Sequence, residues 1–165
     1  MTTKKLVQIG MLVAVAFVLG YVEALMPISL GVPGVKLGLP NLVVVVCLYE
    51  CSPSQTMGIS LARVVLTGLT FGNLSMMLYG LAGGALSLAV MLLLKKIGKF
   101  SVYGVSIAGG VSHNIGQILV AMTVLQTGLL AYYLPFLLAA GCVAGAAIGL
   151  AGGMLVRRLH GMFGE

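Results

Sequence analysis

The chain reads as an all-α, polytopic membrane protein with six transmembrane helices, and three observations carry that expectation. Only 7% of its 165 residues are charged while 60% are hydrophobic, and the mean hydropathy is +1.16. A soluble domain carries about 25% charged residues, so a water-facing surface cannot be assembled from this inventory. Glycine reaches 24 residues, about twice ordinary usage, which suits helices packed backbone to backbone. Apolar runs also recur at the length that a bilayer core requires, about 20 residues for about 30 Å.

Spans are expected at about 6–26, 40–51, 55–72, 74–94, 103–126 and 131–156, in a single integral membrane domain covering 1–165. Span one follows Lys4 and Lys5. Its apolar run of about 20 residues exceeds the h-region of a signal peptide, and Glu23-Ala24-Leu25-Met26-Pro27 makes a poor cleavage site, so the helix is retained. The stretch from Pro27 to Pro40 holds three prolines and three glycines and cannot be a regular helix. At membrane depth such backbone is tolerated only under a cover of protein or beside a watery cavity. Span two is short, opens on Asn41 after Pro40, and carries Cys47 and Cys51 on one face, read as packing groups. A Phe71-Gly72-Asn73-Leu74 turn joins spans three and four. Small residues then recur at four-residue spacing: Gly80/Gly84 in span four, Ala108/Ser112/Gly116 in span five, and Gly141/Gly145/Gly149/Gly153 in span six. Such ladders let helices approach closely where lipid offers no hydrophobic driving force. Span one has Gly10/Ala14 and Ala16/Gly20, which either pack internally or dock a separate membrane subunit.

Seven of the nine cations, Lys4, Lys5, Lys95, Lys96, Lys99, Arg157 and Arg158, fall on one side of a six-pass chain. The positive-inside rule makes that side cytoplasmic, with both termini there and the protein in the cytoplasmic membrane. Lys36 is left on the opposite side and Arg63 within span three. The net charge of +6 therefore reflects topology and contact with lipid headgroups, not a nucleic-acid partner, since no basic face is interleaved with aromatics.

Polar groups inside the spans are functional hypotheses, because each ionisable one costs at least about 2.5–3.5 kcal/mol on insertion scales. Arg63 sits near mid-bilayer; its partner is Glu23, a group of carbonyls, or an anionic substrate. In Ser112-His113-Asn114-Ile115-Gly116-Gln117, His113 and Gln117 share a face at i, i+4 and Asn114 lies next to Gln117 at i+3. That cluster is a candidate ligand or proton site. Asn41 and Asn73 are expected at the extracellular end as helix caps or as lining of a site. Tyr79, Tyr132 and Tyr133 lie on the same side, as belt aromatics or as platforms for a flat ligand.

Several classes are excluded. There is no aspartate, and the acids are Glu23, Glu50 and Glu165. No acidic diphosphate–magnesium site can be built from them in its usual form. No G-x-x-x-x-G-K-[ST] occurs, so no recognisable P-loop hydrolyses ATP. No second histidine or carboxylate completes a metal site around His113. The reading is therefore a binding protein, not an enzyme, with no cofactor and no metal.

The strings Val35-Lys36-Leu37-Gly38-Leu39-Pro40-Asn41, Tyr79-Gly80-Leu81-Ala82-Gly83-Gly84 and Gly110-Val111-Ser112-His113-Asn114-Ile115-Gly116-Gln117 resemble the Gx transporter family, often labelled heptaprenyl diphosphate synthase component I. The six short helices, Gly/Pro-rich first loop and basic fourth-to-fifth loop are similar to the S-components of energy-coupling-factor transporters. That resemblance implies an S-component-like bundle that takes a vitamin-like small molecule from outside, with a transmembrane coupling subunit and cytoplasmic ATPases as partners. It also implies a first loop folded over the ligand and a first helix that docks the coupling protein. Where S-components use Ala-x-x-x-Ala for docking, this chain offers Gly10, Ala14, Ala16 and Gly20. Substrate would be held by His113, Asn114 and Gln117, any negative charge met by Lys36 or Arg63, and the mouth lined by Asn41, Asn73 and Tyr79. The alternative is an accessory membrane subunit of isoprenoid, quinone or extracellular electron-transfer machinery.

Overall fold

A computed structural model describes residues 3–26 and 37–160. Among them the order is α1 (Thr3–Leu25), α2 (Leu39–Glu50), α3 (Pro53–Thr70), α4 (Leu74–Ile97), α5 (Val102–Val124), a 3-10 turn (Gly128–Tyr133) and α6 (Leu134–Leu159). Helices occupy the six segments expected as spans, with ends that differ by a few residues, and the start of the sixth is the 3-10 turn.

The helix ends follow from local chemistry. Ser52 caps α3 in a capping box with Gln55, and Pro53 follows at the first turn, where its missing N–H costs nothing. Asn73 accepts from the Met76 amide at 2.8 Å to open α4, and Ser101 caps α5. Gly38 precedes α2 with φ of 77°, a left-handed conformation that a side chain would strain.

The helices alternate in direction. Glu50 at the end of α2 lies 3.4 Å from His160 at the end of α6, and Lys95 at the end of α4 donates to the Leu48 carbonyl of α2. These ends form one basic pole of the bundle. At the opposite pole Glu23, near the end of α1, accepts from the backbone amide of Gly38 at 2.5 Å, and Phe71 after α3 packs on Phe17 and Tyr21 of α1.

The helices α1, α4, α5 and the 3-10 turn with α6 are long and apolar enough to cross a membrane. With 12 residues, α2 rises only about 18 Å, short of a bilayer core. It compensates by burial: Val43, Val44, Val45, Val46, Cys47 and Leu48 are all at most 5% exposed. One cluster joins α2 to α4, α5 and α6 through Val44, Val45, Leu48, Leu88, Met91, Val105 and Ile148. A second joins its other side to α1 and α3 through Leu12, Ala16, Val43, Cys47 and Ile59. A short central helix wrapped by longer ones needs no lipid contact of its own.

The tightest seam runs along α5. A Cβ added at Gly110 would lie 2.5 Å from the Gly141 carbonyl oxygen of α6, and one at Gly116 would lie 2.8 Å from the Ala82 carbonyl oxygen of α4. The span-six ladder, at Gly141 and Gly145, and Gly116 of the span-five ladder thus bring backbones into direct contact inside the bundle, whereas Gly80 and Gly84 of span four face the Val64 and Ser60 side chains of α3.

Candidate functional site

Polar side chains gather at the pole of Glu23, where α1, α2, α3, α4 and α5 meet. Arg63 is the centre. It stands on α3 and is 8% exposed. One terminal nitrogen donates to Asn41 Oδ1 of α2 at 2.6 Å. Its Nε is buried and has no partner among the described residues. A guanidinium nitrogen can only donate, so this atom faces the bundle interior as an unanswered donor.

Glu23 does not answer it. Its carboxylate accepts from Gly38, and among the described residues it makes no ion pair with Arg63. The two nonetheless sit within electrostatic reach. A connected path therefore runs from Glu23 to Gly38, from the Gly38 carbonyl to the Asn41 amide at 2.7 Å, and from Asn41 to Arg63. The buried charge is partly solvated by this path, and its Nε is left without an acceptor among the described residues.

His113 enters from α5. Its ring lies against the Gly83 backbone of α4 and within electrostatic reach of Arg63. The absence of a side chain at Gly83 makes room: a Cβ there would lie 2.7 Å from the His113 carbonyl oxygen, 2.8 Å from Gln117 Cγ and 3.1 Å from His113 Cε1. His113 Nδ1 is also buried and, among the described residues, unpartnered, donating or accepting according to tautomer. Each orphaned polar atom costs about 1–3 kcal/mol, and buried polar groups are otherwise almost always bonded.

The remaining expected residues divide. Gln117 stacks with His113 on Gly83. Tyr79 lies one turn before Gly83 on α4, on the same face. Asn114 instead turns to α6, where its amide donates to the Leu137 carbonyl at 2.6 Å. Asn73 is exposed and occupied with its capping bond. Lys36 lies outside the described residues. Of the expected docking residues, Ala16 is fully buried and Gly20 approaches Pro40 and Thr67, whereas Ala14 is exposed and Gly10 has nothing near its Cβ position.

Sequence reasoning singled out Arg63 alone on α3, but it belongs to a stripe. Thr56, Ser60, Arg63 and Thr67 recur at i, i+4, i+7 and i+11, the period of one helix face. Thr56 and Ser60 are buried, and Thr67 meets Gly20 of α1. That spacing was the available signal. Gly38 and Gly83 contribute through backbone, which no side-chain motif reveals.

Two open, shallow concavities lie at the basic pole: one of about 580 Å³ beside Arg157 and Arg158, and one of about 390 Å³ beside Pro53, Leu92, Lys95 and Lys96. Neither touches the Arg63 cluster. Among the described residues no group of three or more His, Cys, Asp or Glu could hold a metal ion.

A family model described as "Heptaprenyl diphosphate synthase component I" matches residues 12–155. The chain belongs to that family. Comparison with curated proteins and with solved structures returns no match.

Proposed function

We propose that this member of the heptaprenyl diphosphate synthase component I family acts by binding and not by catalysis. It is an S-component-like membrane subunit that captures a small vitamin-like or precursor molecule from outside, for ATP-driven uptake by a transmembrane coupling subunit and cytoplasmic ATPases. The supporting observation is the state of Arg63: buried within a membrane bundle and, among the described residues, without an ion pair and with Nε unpartnered. Such a charge is costly unless something answers it. A ligand that presents an acceptor, most simply a carboxylate or phosphate oxygen, to Arg63 and a polar atom to His113 removes both deficits. Gln117 and Tyr79 then border it, and Asn41 holds the guanidinium in place. A binding role also fits a chain whose three acids are Glu23, Glu50 and Glu165, with no aspartate to organise magnesium.

The second reading is an accessory membrane subunit of isoprenoid, quinone or electron-transfer machinery. It is favoured by the family description, whose "component I" denotes one part of a multi-subunit system. Affinity purification from native membranes separates the two. Co-purifying ATPases and a membrane coupling protein support transport; a prenyl synthase or flavoprotein in their place overturns it. Alongside, lipid-nanodisc protein is titrated with a panel of vitamins and precursors. Saturable binding that is lost in Arg63→Met supports the reading, and a panel without any saturable ligand counts against it.

A further inference from the structure

The basic pole holds a feature that the ligand site does not use. The concavity of about 580 Å³ lies along the last two turns of α6, lined by Ala151, Met154, Leu155, Arg157 and Arg158. Its body is apolar and its rim carries two exposed guanidinium groups. Among the described residues neither arginine makes an ion pair or a side-chain hydrogen bond. Lys95, at the end of α4, differs: it donates to the Leu48 carbonyl and stands 5.2 Å over the Tyr49 ring.

The groove continues into an apolar strip. Phe136, Val143, Leu150 and Met154 are all strongly exposed, and their spacings of seven, seven and four residues place them on one face of α6. From Phe136 to Met154 the helix rises about 27 Å, nearly the thickness of a hydrocarbon core. The strip therefore ends, at the membrane–water boundary, on a pair of cations that have no partner among the described residues.

We propose that this groove is the docking site of a phospholipid with an anionic headgroup, its phosphate held by Arg157 and Arg158 and an acyl chain laid along Met154, Leu150 and Val143. Charge and shape both select this occupant. A free inorganic anion would leave the apolar walls uncovered, and a zwitterionic lipid would bring its own cation against the arginines. The site stands at the opposite pole from Arg63, so its occupancy is independent of the ligand proposed there.

Native mass spectrometry of the full-length protein, equilibrated with equal amounts of phosphatidylglycerol and phosphatidylcholine of matched chains, tests the assignment. Two basic residues near the surface give about a 30-fold preference for the anionic lipid. R157Q/R158Q should reduce that preference to parity, whereas K95Q/K96Q should leave it in place. Ala151→Phe fills the groove while keeping both arginines and should also abolish it. Parity in the unmodified protein, loss only in the lysine variant, or a preference that survives Ala151→Phe overturns the proposal. So does displacement of phosphatidylglycerol by farnesyl diphosphate in an Arg157- and Arg158-dependent way, which would make a prenyl diphosphate the occupant.

Discussion

Replacing Gly83 by alanine tests the construction of the site through its backbone. The added methyl would stand 2.7 Å from the His113 carbonyl oxygen and 2.8 Å from Gln117 Cγ, against a comfortable separation of about 3.5–4.0 Å for non-bonded carbon. A side chain can swing away, but a helix carbonyl cannot, so α4 and α5 must part by several tenths of an ångström. Overpacking of this kind costs about 1–3 kcal/mol. The adjacent Gly84 supplies an internal control, because a Cβ there meets only Ser60 Oγ at 3.8 Å. Both substitutions make the same glycine-to-alanine change in a helix interior, so the propensity contribution of about 0.5–1 kcal/mol cancels between them. Gly83→Ala is therefore expected to be about 1–3 kcal/mol less stable than Gly84→Ala in mixed-micelle unfolding followed by circular dichroism. Equal stability of the two variants would refute the seam as described.

Arg63→Met removes a buried charge while keeping much of its volume, and the relieved desolvation, several kcal/mol per buried ion, matches or exceeds the cost, about 1–3 kcal/mol, of leaving the Asn41 acceptor without its donor. The variant should unfold at the same or higher detergent concentration yet retain no polar ligand, as read by mass spectrometry of the purified protein. Asn114→Ala should cost about 1 kcal/mol through the lost bond to Leu137, with ligand retention unchanged, and a selective loss of ligand would place Asn114 in the site after all. For Asn73→Ala the same unfolding assay should show a loss of about 1 kcal/mol that Asn73→Asp restores, as expected of an N-cap.

Much of the bundle was legible because membrane helices announce themselves by length and composition, and one of their ends by the cap Asn73, whereas the Ser52 cap went unread. The shortness of α2 was visible too, although its central position was not: continuous valines look alike whether they face lipid or protein. The site was harder. Arg63 and His113 stand out as polar residues in apolar spans, so their candidacy was readable one residue at a time. Their convergence depends on helix rotation, which small-residue ladders leave undetermined when several faces carry them. Thus Asn114, one position from His113, turns to α6, and Ala16/Gly20 packs inside while Gly10/Ala14 faces outward. The bond from Glu23 to the Gly38 amide could not be anticipated, since any backbone donor in the Gly/Pro-rich stretch would have served.

The account rests on Arg63 and His113 keeping polar atoms in reserve for a guest. An experimental density map of the lipid-embedded protein, purified gently enough to retain bound small molecules, tests that most directly. The expected map shows non-protein density within hydrogen-bond distance of both Arg63 Nε and His113 Nδ1. A protein atom bonded to each of those nitrogens, with no space between them, would contradict it.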